Sequence, residues 1–258
     1  MLHRFDLKNK VVLLTGGAGL YGRGLTADLA CANATVVIAS RDRAAGEAVA
    51  EEERRAGYDV SAEVLDQGDP DSIGALRDRI AQRYGRLDGL VNNAVSRPMI
   101  GPDAPIEAWE ESLRVNATGV YCMHREFGGL LSIQKSGSIV NIGSIQGMIG
   151  PSRNLYGEQT GVPLGAPDYF FHKGGLINLT RYYAALYGPE SVRVNCLSPG
   201  GFLADQPDEF VRRYSEQTFL GRMGGKSDLG GAVVFLLSDA SRYITGVNLP
   251  IDGGYTAR

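Results

Sequence analysis

Seven short, β-branched runs alternate with longer amphipathic stretches, and this alternation predicts an α/β chain: a doubly wound, seven-stranded parallel sheet with helices on both faces. Most of the runs are continuously apolar instead of alternating apolar with polar, as strands buried on both faces must be. The 258 residues, 43% of them hydrophobic, suffice for a sizeable core, and the chain is read as one domain spanning 1–258.

In order, strands are predicted at 11–15 (VVLLT), 35–39 (TVVIA), 60–65 (VSAEVL), 87–91 (LDGLV), 137–142 (GSIVNI), 192–197 (VRVNCL) and 247–251 (VNLPI). Helices are predicted at about 22–32, 43–56, 71–84, 107–130, 169–187 and 226–237. Two irregular stretches, about 145–168 and 199–219, follow strands. Long loops there are read as substrate loops, because open α/β sheets bind ligands beyond the carboxyl ends of their strands.

A net charge of −3, with both signs interspersed, offers no basic footprint, so nucleic acid and anionic lipid are not expected partners. No run of about 18 apolar residues exists to span a membrane, and the first ten residues do not read as a signal peptide. Cys31, Cys122 and Cys196 are odd in number and sit in apolar stretches, which suits buried, unpaired thiols and a cytoplasmic location. His3, His124 and His172 are scattered without thiol or acidic partners, so no metal site is expected.

The first strand runs into TGGAGLYGRG, placing Gly16, Gly19 and Gly22 at the turn into a helix. Such a turn lets backbone approach a pyrophosphate, and the helix N-terminus offers unpaired N–H groups to the anion. A dinucleotide site follows, contributed by Gly16, Gly19, Leu20, Tyr21 and Gly22. At the end of the second strand, where a carboxylate would select NAD, stand Ser40 and Arg41; NADP is therefore favoured, with Asp42 keeping NAD open. Asp66, with Gln67 beside it, ends the third strand where an adenine amino group would lie, although an Asp there also suits a turn.

Tyr169 and Lys173 are four apart in YFFHK, on one face of a predicted helix and about 5–6 Å apart at Cβ. A neighbouring ammonium favours a phenolate, which makes Tyr169 usable as a general acid or base near neutral pH. Ser144, just after the fifth strand, can hydrogen-bond a reacting oxygen. Asn116, polar among apolar neighbours in LRVNATG, either organises buried water or marks a helix kink.

Taken together, the TG motif at 15–22, Asp66, Asn92-Asn93-Ala94, Asn116, Ser144, Tyr169 with Lys173, Pro199-Gly200 and IDGG at 251–254 resemble the short-chain dehydrogenase/reductase family in its single-domain, Rossmann-like branch. The resemblance covers nearly the whole chain. It implies a catalytic set of Asn116, Ser144, Tyr169 and Lys173, with Tyr169 as acid/base. Lys173 would lower the Tyr169 pKa and hold the nicotinamide ribose, while Asn116 would hold a relay water. It further implies cofactor support from Asn93 and Ala94 and a nicotinamide border at Pro199 and Gly200. Assembly into a dimer or tetramer, through helices at 107–130 and 169–187, is expected on the same ground.

The chain departs from the family pattern in three places. Leu20 stands where a middle glycine is usual, Val95 follows NNA where glycine is common, and a polar insertion separates Ser144 from Tyr169. Tyr156 in that insertion has Thr160, not lysine, four residues on. The insertion is similar to that of sugar and sugar-acid members, so a polar, sugar-like or keto-acid substrate is expected, held by Gln146, Arg153, Asn154 and Glu158, with Gln206 and Arg222 as further candidates. The alternatives are a non-catalytic cofactor-binding protein and a sugar epimerase or dehydratase that recycles its cofactor.

Overall fold

The computed structural model describes residues 2–257. Seven strands form one sheet: β1 (Val11–Thr15), β2 (Thr35–Ser40), β3 (Val60–Val64), β4 (Gly89–Asn92), β5 (Gly137–Ile142), β6 (Val192–Pro199) and β7 (Asn248–Ile251). Their order is β3-β2-β1-β4-β5-β6-β7, with every neighbouring pair parallel. The expected sheet is present, with β4 starting two residues late and β6 running on to Pro199.

Strand side chains alternate between two apolar layers. In β1, Val12 and Leu14 join one core and Val11 and Leu13 the other; in β2, Val36 and Ile38 are opposed to Val37 and Ala39 in the same way. The first layer is completed by α1 (Leu20–Cys31), α2 (Arg43–Arg55) and a helix late in the chain, α9 (Gly230–Leu237). The second is covered by α3 (Pro70–Tyr84), by a long helical run and by α7 (Pro167–Tyr187). That run comprises α4 (Ile106–Leu113), α5 (Val120–Met123) and α6 (Gly129–Gln134), joined through π-helical stretches at Arg114–Gly119 and His124–Gly128. The first π stretch holds Asn116, so the helix departs from α-type hydrogen bonding at that residue.

Inside the second loop lies a helix not read from the sequence, α8 (Asp208–Glu216). Its nine residues are too few for a strong periodic signal, but Pro207 at the N-cap and Asp208-Glu209 in the first turn are helix-start signals. With the insertion it builds a third, smaller core, in which Ile145, Leu155, Phe210, Tyr214, Met223 and Tyr255 are buried together. Arg213 of α8 donates to the Asn154 carbonyl and to Gln159 Oε1, both at 3.1 Å. Cys122 and Cys196 are buried as expected; Cys31 is exposed, with its sulfur 3.2 Å from the Tyr58 hydroxyl.

A buried polar chain fixes α7 against the sheet. Asn92 Nδ2 donates to Asn141 Oδ1 (2.9 Å), Asn141 Nδ2 to Thr180 Oγ1 (2.9 Å), and Thr180 to the Leu176 carbonyl (2.8 Å). His124, stacked on Tyr183 at 4.1 Å, places Nε2 3.1 Å from the same Asn141 oxygen. Burial pulls the His124 imidazole down to about 4 against the opposing Asn141 contact, so the ring is neutral at physiological pH.

The turn after β1 packs closely against the start of α1. Gly16 has φ +68°, and a Cβ on Gly22 would stand 2.0 Å from the Gly16 carbonyl oxygen and 2.7 Å from the Gly17 carbonyl carbon. Both contacts are with backbone, which cannot step aside. Gly22→Ala is therefore expected to destabilise the protein by about 1–3 kcal/mol and to weaken dinucleotide binding, read as a lower Tm and a smaller Tm increase on adding NADP.

Candidate active site

Strand order reverses where β1 lies between β2 and β4, and the connections there leave in opposite directions, opening a crevice at the carboxyl ends of the strands. A cavity of about 760 Å³ fills it. Its floor is the glycine turn, braced from β4: Asn93 Nδ2 donates to the Thr15 (2.9 Å) and Gly16 (3.2 Å) carbonyls, while Thr15 Oγ1 accepts from the backbone N–H groups of Asn93 (3.0 Å) and Ala94 (2.9 Å).

The residue types here suit a dinucleotide. Helix α1 begins at Leu20 with Gly19 as a cap that makes no side-chain hydrogen bond, so its first-turn N–H groups face the crevice without a side-chain acceptor. A side chain at Gly22 would fill the space that brings the turn and helix together. Gln67, buried on the cavity wall, donates to the Val115 carbonyl (3.1 Å), but its Oε1 has no protein partner among the described residues. Asp66 accepts from the Gly68 N–H (2.8 Å) at the far end. Ser40 and Arg41 line the cavity, and the Asp42 carboxylate beside them caps α2 by accepting from the Ala45 N–H (3.0 Å).

A second cavity, of about 380 Å³, adjoins the first. Leu20, Tyr21, Arg97, Ser144 and Tyr169 line both, so Tyr169 and Ser144 stand at the seam. Lys173, one turn beyond Tyr169 on α7, is buried and donates to the Ile142 carbonyl at the end of β5 (2.6 Å); its Nζ lies 5.5 Å from the Tyr169 ring centroid. Arg97 covers the same ring, with Cζ 4.7 Å from the centroid and Nη2 3.4 Å from the phenol oxygen. Asn116 holds the backbone leading to Arg97, accepting from the Ser96 N–H (2.9 Å) and donating to the Ser96 carbonyl (2.7 Å).

Electrostatics follow from this packing. Burial pushes the Tyr169 phenol up, but the Lys173 and Arg97 cations, with hydrogen bonds to Ser144 and Arg97, outweigh it and hold the phenol below its ordinary value. Burial lowers Lys173, partly offset by Tyr169 and Cys196. His172 is pulled down to about 3 by burial and by the same two cations, so it is neutral and adds no charge.

Several sequence-predicted residues lie elsewhere. Arg153, Asn154 and Glu158 are exposed on the outer side of the insertion and line neither cavity. Arg222 is tied to Asp228, with Nη1 2.6 Å from Oδ2. Gln146 and Gln206 do line the second cavity, as does Tyr156, whose hydroxyl accepts from Gln146 Nε2 (3.1 Å). Pro199 borders the first cavity and Gly200 the second. Arg97 was not among the expected site residues; its signal in the sequence is a cation three residues beyond Ala94, after a strand's carboxyl end. Nor was the aromatic wall of Phe202, Phe210, Tyr214 and Tyr255, whose members are spread too far along the chain to form a pattern.

A nucleotide-sized crevice at a sheet switch point, opening beside a tyrosine held between two cations, defines a nicotinamide-dependent oxidoreductase. A family model described as enoyl-(acyl carrier protein) reductase matches residues 19–256. The chain is 30% identical to the 3-oxoacyl-[acyl-carrier-protein] reductase of Thermotoga maritima, covering 96% of this chain and 98% of that protein. Among solved structures, it superposes with a TM-score of 0.90 at 28% identity on a gluconate 5-dehydrogenase from Burkholderia cenocepacia in complex with NADP and tartrate, covering 100% and 99% of the two chains. A short-chain dehydrogenase from Leptospira borgpetersenii with bound NAD+ gives a TM-score of 0.87 at 31% identity, over 97% and 94%. The chain belongs to the short-chain dehydrogenase/reductase family and is an NAD(P)-dependent oxidoreductase acting on alcohol or ketone groups.

The cations acting on Tyr169 can be tested directly. The difference in tyrosinate absorbance between the protein and Tyr169→Phe is expected to report a phenol ionising below the ordinary value near 10. Removing one cation in Lys173→Met makes the phenolate harder to form, so the same ionisation moves to higher pH.

Proposed function

We propose that Tyr169 is the general acid/base of a reversible alcohol/ketone oxidoreduction, with Ser144, Lys173 and Asn116 completing the set. The observation that carries this reading is the place of Tyr169, at the seam of the two cavities with two cations near its ring. A nicotinamide bound in the larger cavity supplies or takes up the hydride. Tyr169 gives a proton to the substrate oxygen in reduction and takes one in oxidation, and Ser144 orients that oxygen by hydrogen bonding. Lys173 favours the phenolate and reaches toward the cofactor ribose, while Asn116 fixes the loop that carries Arg97 and holds the relay water.

The cofactor would be held by Gly16, Gly19, Leu20, Tyr21 and Gly22 toward its pyrophosphate, by Asp66 and Gln67 toward its adenine, by Asn93 and Ala94, and by Pro199 and Gly200 toward its nicotinamide. We favour NADP, because Arg41 lines the larger cavity just after β2, where a basic residue would suit a 2′-phosphate, while the Asp42 carboxylate is engaged in capping α2. Leu20 in place of the usual glycine stands 55% exposed between the cavities, a shape-determining contact for both ligands.

The substrate cavity argues for a body less polar than a sugar. Met99, Ile145, Ile149, Phe202, Phe210 and Met223 line it, and four of the six residues expected to grip a polyol, Arg153, Asn154, Glu158 and Arg222, are outside it. Exposed apolar residues on the long helical run and α7, Tyr121, Tyr182 and Leu186, support assembly into a homo-oligomer, and three free cysteines support a cytoplasmic setting.

Nicotinamide absorbance with NADPH or NADH and a panel of ketones tests the reading. Tyr169→Phe is expected to lower turnover by about 10²- to 10⁴-fold, whereas Tyr156→Phe retains general acid/base function. Arg41→Gln is expected to raise KM for NADPH about tenfold or more, the loss of a charge-assisted phosphate contact, with NADH unaffected. Full activity of Tyr169→Phe would sink the assignment.

A further inference from the structure

Arg97 is an exposed arginine with no ion-pair partner among the described residues, yet it lies beside the reacting centre. Among the described residues it is the one basic side chain lining the second cavity. The one acidic residue among them there, Asp168, makes no ion pair with it: Asp168 is buried, its Oδ2 accepts from Ser112 Oγ (2.5 Å), and its Oδ1 has no partner among the described residues. The guanidinium stacks on Tyr169 and approaches its hydroxyl through Nη2 alone, at a long 3.4 Å, which leaves most of its planar set of five donors free. The loop beneath it is fixed on both sides of the Ser96 peptide by Asn116, so the fork is presented by a braced backbone.

We propose that Arg97 anchors a carboxylate on the substrate, and that the substrate class is a 2- or 3-hydroxy acid, or the corresponding oxo acid, with an apolar body. This rests on the role given above to Tyr169. A substrate oxygen hydrogen-bonded to Tyr169 lies within one hydrogen-bond length of the phenol. The guanidinium edge beside that phenol then meets a group one or two carbons from the reacting carbon. A carboxylate is the group whose two oxygens match a guanidinium fork, and pairing it there neutralises a cation that would otherwise stand unpaired at the cavity mouth. The aromatic and methionine wall beyond, including Phe210, Tyr214 and Met223, receives the rest of the molecule.

The test uses a probe that cannot turn over. The carbinol carbon of 2-hydroxy-2-phenylpropanoate carries no hydrogen, so it binds without transferring a hydride, and its primary amide is a neutral match. Each is titrated calorimetrically into the protein saturated with NADP. The acid is expected to bind about 10- to 100-fold more tightly than the amide, the range for hydrogen bonds to a charged partner. Arg97→Met is expected to abolish that preference, with Arg97→Lys keeping part of it, since lysine offers charge without the fork. Arg97→Gln, read beside a thermal melt of each variant, separates loss of the anchor from loss of the fold.

Equal binding of acid and amide to the unaltered protein, no binding of the acid, or a preference that survives in Arg97→Met would each overturn the proposal. Turnover of neutral ketones that is lost in Tyr169→Phe would then leave the Tyr169 assignment standing alone. Conversely, Arg97-dependent acid binding with full turnover in Tyr169→Phe would remove the acid/base assignment and keep the anchor.

Discussion

An ammonium taken out of water must be paired, and Lys173 meets that demand with a strand carbonyl at the end of β5 on one side and an ionisable phenol on the other. Much of the site follows from this. The carbonyl is available because β5 ends at Ile142, and α7 is set at the right height by the Asn141–Thr180 hydrogen bond. Without that link the lysine would have no fixed acceptor, and the tyrosine one turn earlier would be an ordinary buried phenol pushed up by its surroundings. Tyr21, Tyr156 and Tyr214 show that outcome: burial dominates at each, and each phenol is raised.

The second cation gives the site its direction. Lys173 lies in the core and lines the larger cavity alone, whereas Arg97 stands at the surface and faces both cavities. The Tyr169 phenol is therefore near one cation confined to the larger cavity and one shared by the two. The π-helical stretch that carries Asn116 connects the two sides, because its side chain holds the Ser96 backbone while its own helix packs under α7.

The substrate cavity has a different origin. Most of its lining comes from two segments outside the sheet, the insertion before α7 and the region around α8, which share a small aromatic core and the Arg213 contacts. The Tyr214 hydroxyl accepts from the Gly201 N–H, tying α8 to the end of β6 and hence to the cofactor side. The second cavity is thus anchored to the framework that lines the first.

Periodicity and local chemistry were enough to read the seven strands, the glycine turn and the Tyr169–Lys173 pair, because each depends on residues within one element or one turn. A buried parallel strand must be apolar, a turn that approaches a helix closely must lack a Cβ, and residues four apart on a helix must be neighbours. The tertiary structure alone decided which polar residues of the insertion reach the substrate cavity, since Arg153 and Gln146 look alike as loop residues yet one faces solvent and the other the cavity. It also decided that Arg97, 72 positions before Tyr169, lies across its ring, and that Tyr156, Phe210, Tyr214 and Tyr255 form one wall. Those contacts join segments far apart in the chain, and no short-range spacing rule encodes how a sheet brings its strand ends together.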